Sequence, residues 1–179
     1  MNTSTYHKAE IVKSLVLSLE EVRGFIEQLT EEQFEHKPTD KWSIKQEFEH
    51  LILSNKPVSS ALKLPKLVLR SFGKPRNPSR KFEALFDYYH GKLKTSPVPT
   101  GKFTPKEQNN LSRTDMLMGW GMISKKFDDR ILNWSEEKLD QYLLPHPLLG
   151  KLTVREMLFF TIFHNHHHLS NMQDKLAQV

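Results

Sequence analysis

Thr153 to Ala177 reads TVREMLFFTIFHNHHHLSNMQDKLA. Thr153 with Glu156 is a capping box, the reciprocal pairing that opens a helix. No proline or glycine interrupts the residues that follow. The stretch therefore predicts one long helix to about Ala177. Inside it, His164, His166, His167 and His168 put four imidazoles into five residues. The run is internal, so it does not read as a terminal affinity tag.

Helical phase sorts the four. With His164 at 0° and about 100° per residue, Val154, Met157, Leu158, Thr161, Leu169, Met172 and Leu176 centre near 90°. His168, at about 40°, falls inside that apolar stripe, and His164 sits at its edge. His167, at about −60°, flanks the stripe, and His166, at about 200°, points away. His164 and His168 are one turn apart and can reach one ion together. Two imidazoles rarely complete a site. The further candidates are His7, His36, His50, His90 and His146. His50 belongs to a facing helix, the kind of element that supplies ligands in bundle cores. It lies off the Ile44-Phe48-Leu51 stripe, however, and periodicity does not choose among the five.

Three more long helices precede this one. Ile11, Leu15, Leu19, Val22, Ile26 and Leu29 repeat at steps of three and four, predicting a helix over about residues 4–29. Polar residues and Pro38 break the pattern between Thr30 and Asp40. Ser43 and Gln46 form a second capping box beside Trp42, and Pro57 is expected to kink or end the helix they open. Residues 63–81 are interrupted by Pro65, Gly73, Pro75 and Pro78. Phe82 to Leu93 predicts a short helix. Pro97, Pro99, Gly101 and Pro105 force a loop, with a brief helix start at Thr104, Pro105 and Glu107. Ser112 and Asp115 cap a third long helix carrying Leu117, Trp120, Ile123, Phe127 and Ile131. Gly119 and Gly121 weaken it locally unless they permit close helix approach. No segment shows the alternation of a strand. The fold class is all-α, a four-helix bundle.

Composition narrows the function classes. The chain has 179 residues, 37% of them hydrophobic, which suits one domain over residues 1–179. It has no cysteine, which excludes disulfides, a thiolate nucleophile and Cys-ligated metal. No apolar run approaches the roughly 18 residues of a membrane span. Met1 to Glu10 lacks the apolar centre of a secretory signal, so a cytoplasmic location is expected. There is no HExxH, no Gly-rich phosphate loop and no GxSxG elbow. The net charge of +5 comes from residues 56–82, where Lys56, Lys63, Lys66, Arg70, Lys74, Arg76, Arg80 and Lys81 meet no acid. The rest of the chain is at −3. Such a segment reads as a solvated surface, giving weak, salt-sensitive attraction for nucleic acid without base readout.

Three motifs occur in order: Trp42-Ser43-Ile44 with His50-Leu51, the turn Pro147-Leu148-Leu149-Gly150-Lys151-Leu152-Thr153, and the run from His164 to His168. Together, with a long insert after the second helix, they resemble the DinB-like superfamily and its YfiT-type proteins. The resemblance implies an up-down-down-up four-helix bundle with short extra helices in that insert. It implies a divalent metal held by one histidine of the second helix and an HxxxH pair of the fourth. Those positions match His50, His164 and His168, so the resemblance selects His50 where periodicity did not. It departs at Asn171, where the family often has Gln. It further implies metal-dependent hydrolysis or transfer of an external thiol such as bacillithiol or mycothiol, and a homodimer.

Three neutral imidazoles leave the ion its full charge, and zinc or nickel suits such ligands. Zinc lowers the pKa of a bound water to about 7, which is how such a site hydrolyses. The expected partner is a small-molecule substrate, with no specific nucleic acid and no membrane; a non-enzymatic binding module is the alternative class. No general acid or base stands out, and Glu47, Glu49, Asp115 and His167 are the candidate pocket residues.

Overall fold

Ser or Thr hydroxyls cap four helices of the computed structural model, which describes residues 6–39, 41–95, 101–107 and 109–178. The helices are α1 (Lys8–Glu27), α2 (Glu31–Glu35), α3 (Ile44–Ala61), α4 (Lys66–Ser71), α5 (Phe82–Thr95), α6 (Arg113–Ile131) and α7 (Val154–Leu176). Thr30, Ser43, Ser112 and Thr153 each accept the N–H three residues on, and Gln33, Gln46, Asp115 and Glu156 each reach back. These reciprocal bonds satisfy donors that every helix start leaves open.

Contacts along the four long helices give their directions. Arg155 of α7 donates to the Tyr6 carbonyl at the start of α1, and Asn165 of α7 reaches Ser18 of α1, so the two helices run parallel. Glu47 of α3 meets Lys175 of α7 while Asn55 meets Asn165, so α3 runs against α7. Phe48 packs on Trp120, and Ser59 accepts from Arg130 through its carbonyl, so α6 runs with α3. The order is up-down-down-up, with α4 and α5 forming the expected insert. The stripe predicted on α1 is buried, as are Trp120, Ile123, Phe127 and Ile131 of the α6 stripe, where Leu117 is half-buried and Met116 is buried in its place, and Leu158, Phe159 and Ile162 on α7. Two buried indoles complete the packing by donating to carbonyls: Trp120 to Leu19 and Trp134 to Leu62.

The structure departs from the sequence reading in several places. Helix α1 begins at Lys8, and residues 1–5 lie outside the described residues. The short α2 fills part of the expected break. Helix α3 runs through Pro57 to Ala61, because Pro57 is exposed while Asn55 and Ser59 on the same helix stay buried. No helix forms at Thr104 among the described residues; there the Phe103 and Lys106 carbonyls accept from His50 and Gln46 instead. Leu143–His146 (β1) and Gly150–Thr153 (β2) pair antiparallel, from Leu143 opposite Thr153 to His146 opposite Gly150. Gly150 takes a φ of +78° at that turn, which a side chain would resist. An added Cβ at Gly119 or Gly121 would meet nothing within 4 Å among the described residues, so neither serves close helix approach among them. No helix among the described residues is long and apolar enough to cross a membrane.

Candidate metal centre

Antiparallel packing of α3 on α7 puts His50 opposite the turn that carries His164 and His168. The His164 Nε2 lies 3.2 Å from Nε2 of His50 and 3.1 Å from Nε2 of His168. The three rings form the His cluster of the described residues whose ligand atoms all fall within 4.8 Å of one another. His164 and His168 are buried, and His50 is half-buried.

The outer nitrogens decide what the inner ones can do. His50 Nδ1 lies 2.7 Å from the Phe103 carbonyl, and His168 Nδ1 lies 2.5 Å from Glu47 Oε2. A carbonyl and a carboxylate only accept, so both Nδ1 atoms carry protons and donate. Each of these neutral rings then presents a bare lone pair at Nε2, and both lone pairs face His164 Nε2. At most one of those contacts can be a linear hydrogen bond. The remaining lone pair has no proton to accept, a deficit that a cation relieves. Tetrahedral zinc with Zn–N near 2.0–2.1 Å separates its nitrogens by about 3.3 Å, close to the spacings here. The donor set and its outward hydrogen bonds fit a divalent ion.

Burial keeps the rings in the ligating form. Desolvation, reinforced by the neighbouring imidazoles, pushes His164 and His168 well below the ordinary 6.5. Desolvation also lowers His50, outweighing the Phe103 carbonyl and Glu47. Glu47 is buried and would favour a charged His168, but its Oε1 is taken by the buried Lys175 Nζ at 2.5 Å. That ammonium balances the carboxylate, leaving His168 neutral and oriented.

The other candidates disperse. Glu47 stands behind His168 rather than in a pocket. Glu49 is buried with Oε2 unpartnered, outside the cavity wall. Asp115 is the exposed cap of α6, its pKa lowered by hydrogen bonds from Ser112. His167 lines the cavity described next, its pKa lowered by burial. Asn171, at the departing position, turns to His167 at 3.4 Å and not to the cluster. His166 is exposed and faces Glu21, as its phase required. His7 is exposed at the start of α1, His36 ends α2, and His90 packs on Phe86.

The cluster opens on a cavity of about 390 Å³ between α3, α5, the hairpin and α7. Trp42, Val58, Phe72, Leu93, Leu144 and Phe160 contribute apolar wall. Sequence reasoning missed the Phe103 carbonyl and Lys175. Nothing in a sequence points to a carbonyl. Lys175 did leave a signal, since at about 100° per residue it falls between His164 and His168 on the core stripe.

The basic segment is a mixed surface. Lys66 is half-buried over the Trp134 ring, with its pKa lowered to about 8 by desolvation, and Arg80 pairs with Glu156 at 2.8 Å. Lys56, Lys63, Arg70, Lys74, Arg76 and Lys81 are exposed.

The sequence profile of the DinB superfamily matches residues 14–172, a span holding the three histidines, Glu47 and the hairpin. No curated protein matches the chain.

Proposed function

The chain belongs to the DinB superfamily, and from that premise we propose that it is a metal-dependent enzyme of hydrolase type, holding one divalent ion, zinc or nickel, on His50, His164 and His168. The observation that carries this reading is the convergence of Nε2 lone pairs whose opposite nitrogens are tied outward to Phe103 and Glu47. When bound, the ion supplies Lewis acidity to a lone pair of any small molecule that reaches it.

The chain's own residues do the rest. The Phe103 carbonyl and Glu47 fix the tautomers of His50 and His168. Lys175 holds Glu47 in place and cancels its charge. Phe160 stacks on His164, ring centroids 4.8 Å apart, and limits its rotation. The apolar wall excludes bulk water and strengthens electrostatic effects at the cluster.

One observation favours a second reading, transfer of an external thiol. Among the described residues lining the cavity there is no Asp or Glu, so no carboxylate stands ready to take a proton from water. A thiol ionises far more readily and needs less help. The chain has no cysteine, so the thiol must come from outside.

Elemental analysis of tag-free protein is expected to find about one divalent ion per chain. Turnover of an electrophilic ester with and without bacillithiol then separates the two nucleophiles. Absence of any metal after reconstitution with zinc and with nickel sinks both readings.

A further inference from the structure

His146 lines the cavity but is not needed by the ion. It ends β1, and its Nδ1 lies 3.2 Å from the Leu148 N–H nitrogen and 3.0 Å from that of Leu149. A ring nitrogen that accepts from two backbone donors carries no proton, so the proton of the neutral ring is on Nε2. Burial holds the ring neutral, with its pKa pushed down to about 4. Its Nε2 has no hydrogen-bond partner among the described residues, while the ring's other side is committed to the turn. The ring packs edge-on against Phe160 at 4.2 Å, and Phe160 stacks on His164. A fixed N–H donor thus stands in the wall that leads to the cluster.

The wall around it has a matching bias. Its body is apolar, and among the described residues Lys102 is its one formal charge. Tyr89, a buried residue of the wall, adds a hydroxyl whose proton is retained, its pKa raised to about 12 by desolvation. Once an ion has taken up the lone pairs of the cluster, a cationic ligand would meet an ammonium, N–H and O–H donors and no carboxylate. A many-hydroxyl ligand would leave its own polar groups unpaired against carbon. A volume of about 390 Å³ is in the range of sites for small organic molecules.

We propose that this cavity takes a small molecule with an apolar body and an oxygen-acceptor head, a carboxylate or carbonyl, and that His146 Nε2–H binds that head beside the histidine cluster. The head's second contact rests on the metal reading above; the pocket for the body does not.

The test titrates octanoate, octylammonium and acetate calorimetrically into the full chain, zinc-loaded and metal-free. Octanoate is expected to bind both forms, and the zinc form more tightly. Acetate should bind at least about a hundredfold more weakly, since six methylenes are lost. Octylammonium should not bind the zinc-loaded form. His146→Asn keeps an acceptor for the Leu148 and Leu149 N–H groups and removes the donor at the Nε2 position. It should weaken octanoate about three- to tenfold with metal content unchanged. Ala61→Trp, which fills the cavity, should abolish octanoate binding while zinc is retained. Octylammonium binding the zinc-loaded form as tightly as octanoate overturns the proposal, as does His146→Asn binding octanoate like the parent. If the chain takes up no zinc yet binds octanoate through His146, the metal reading fails and this one stands. If it takes up zinc and binds no octanoate, this proposal fails and the metal reading stands.

Discussion

Asn55, Asn165 and Ser18 make one buried polar group between α1, α3 and α7, and the three histidines make another on two of the same helices. In the first, Asn55 Nδ2 donates to the Leu51 carbonyl and to Asn165 Oδ1, both at 2.9 Å. Asn165 Nδ2 donates to Ser18 Oγ at 3.1 Å, and Ser18 donates to the Leu15 carbonyl at 2.8 Å. Donors meet acceptors, and Asn55 Oδ1 alone is left over. In the second, two lone pairs converge on one nitrogen across 3.1 and 3.2 Å, and at most one of them can be met by a proton. The asparagine group closes on itself and serves the fold, fixing the register of α1, α3 and α7. The histidine group leaves a lone pair open, and could hold a metal ion.

That contrast can be broken experimentally, beginning with its largest effect. His164→Ala with His168→Ala should abolish metal binding while far-UV circular dichroism keeps its helical signal. Stoichiometric metal in that variant would mean the lone pairs are not ligands. Asn165→Ala should do the opposite: about 2–3 kcal/mol less stable in urea melts, because Asn55 and Ser18 lose their partner, with metal content unchanged. Glu47→Gln should weaken zinc about 10–100-fold in competition with a chelator, since it loosens the support of His168.

A pH effect follows, and of the two groups compared only the histidines can show it. Burial holds His146, His164 and His168 below the ordinary 6.5. Between 6.5 and the lowered folded value the unfolded chain binds protons that the folded chain refuses, so stability falls as pH falls. For His146 that window runs from 6.5 down to about 4, an effect of about 1–2 kcal/mol by pH 5. Metal-free protein should therefore melt a few degrees lower at pH 5 than at pH 7.5. Asn165→Ala should keep that difference, and the double histidine variant should shrink it. The smallest effect is expected of His166→Ala, an exposed neighbour paired with Glu21 on the surface. It should leave both metal and stability unchanged, and metal loss there would show that the helix faces the wrong way.

The bundle was legible because its helices announce themselves at both scales, by capping pairs at Ser43, Ser112 and Thr153 and by apolar stripes behind them. The hairpin was not. Strands of four residues, with Pro145 in one and an exposed Lys151 in the other, are too short to show alternation. Phase placed His168 inside and His166 outside, as found. It placed His50 off the stripe for a physical reason: His50 is only half-buried, lines the cavity and packs on Trp42. Family resemblance, not periodicity, selected it. The Phe103 carbonyl comes from a segment 53 residues away from His50 and carries no side-chain signal.

His50 and His164 stand 114 residues apart along the chain. A metal bond between them would close a loop of that length, in a protein that has no cysteine with which to tie one. In the chain-entropy account a cross-link closing a loop of about 100 residues is worth ~4.7 kcal/mol, taken from the unfolded state. Such an ion is also a rivet. The same lone pairs that would activate a substrate would hold the second and last long helices together, so that stripping the metal loosens the frame that built its own seat.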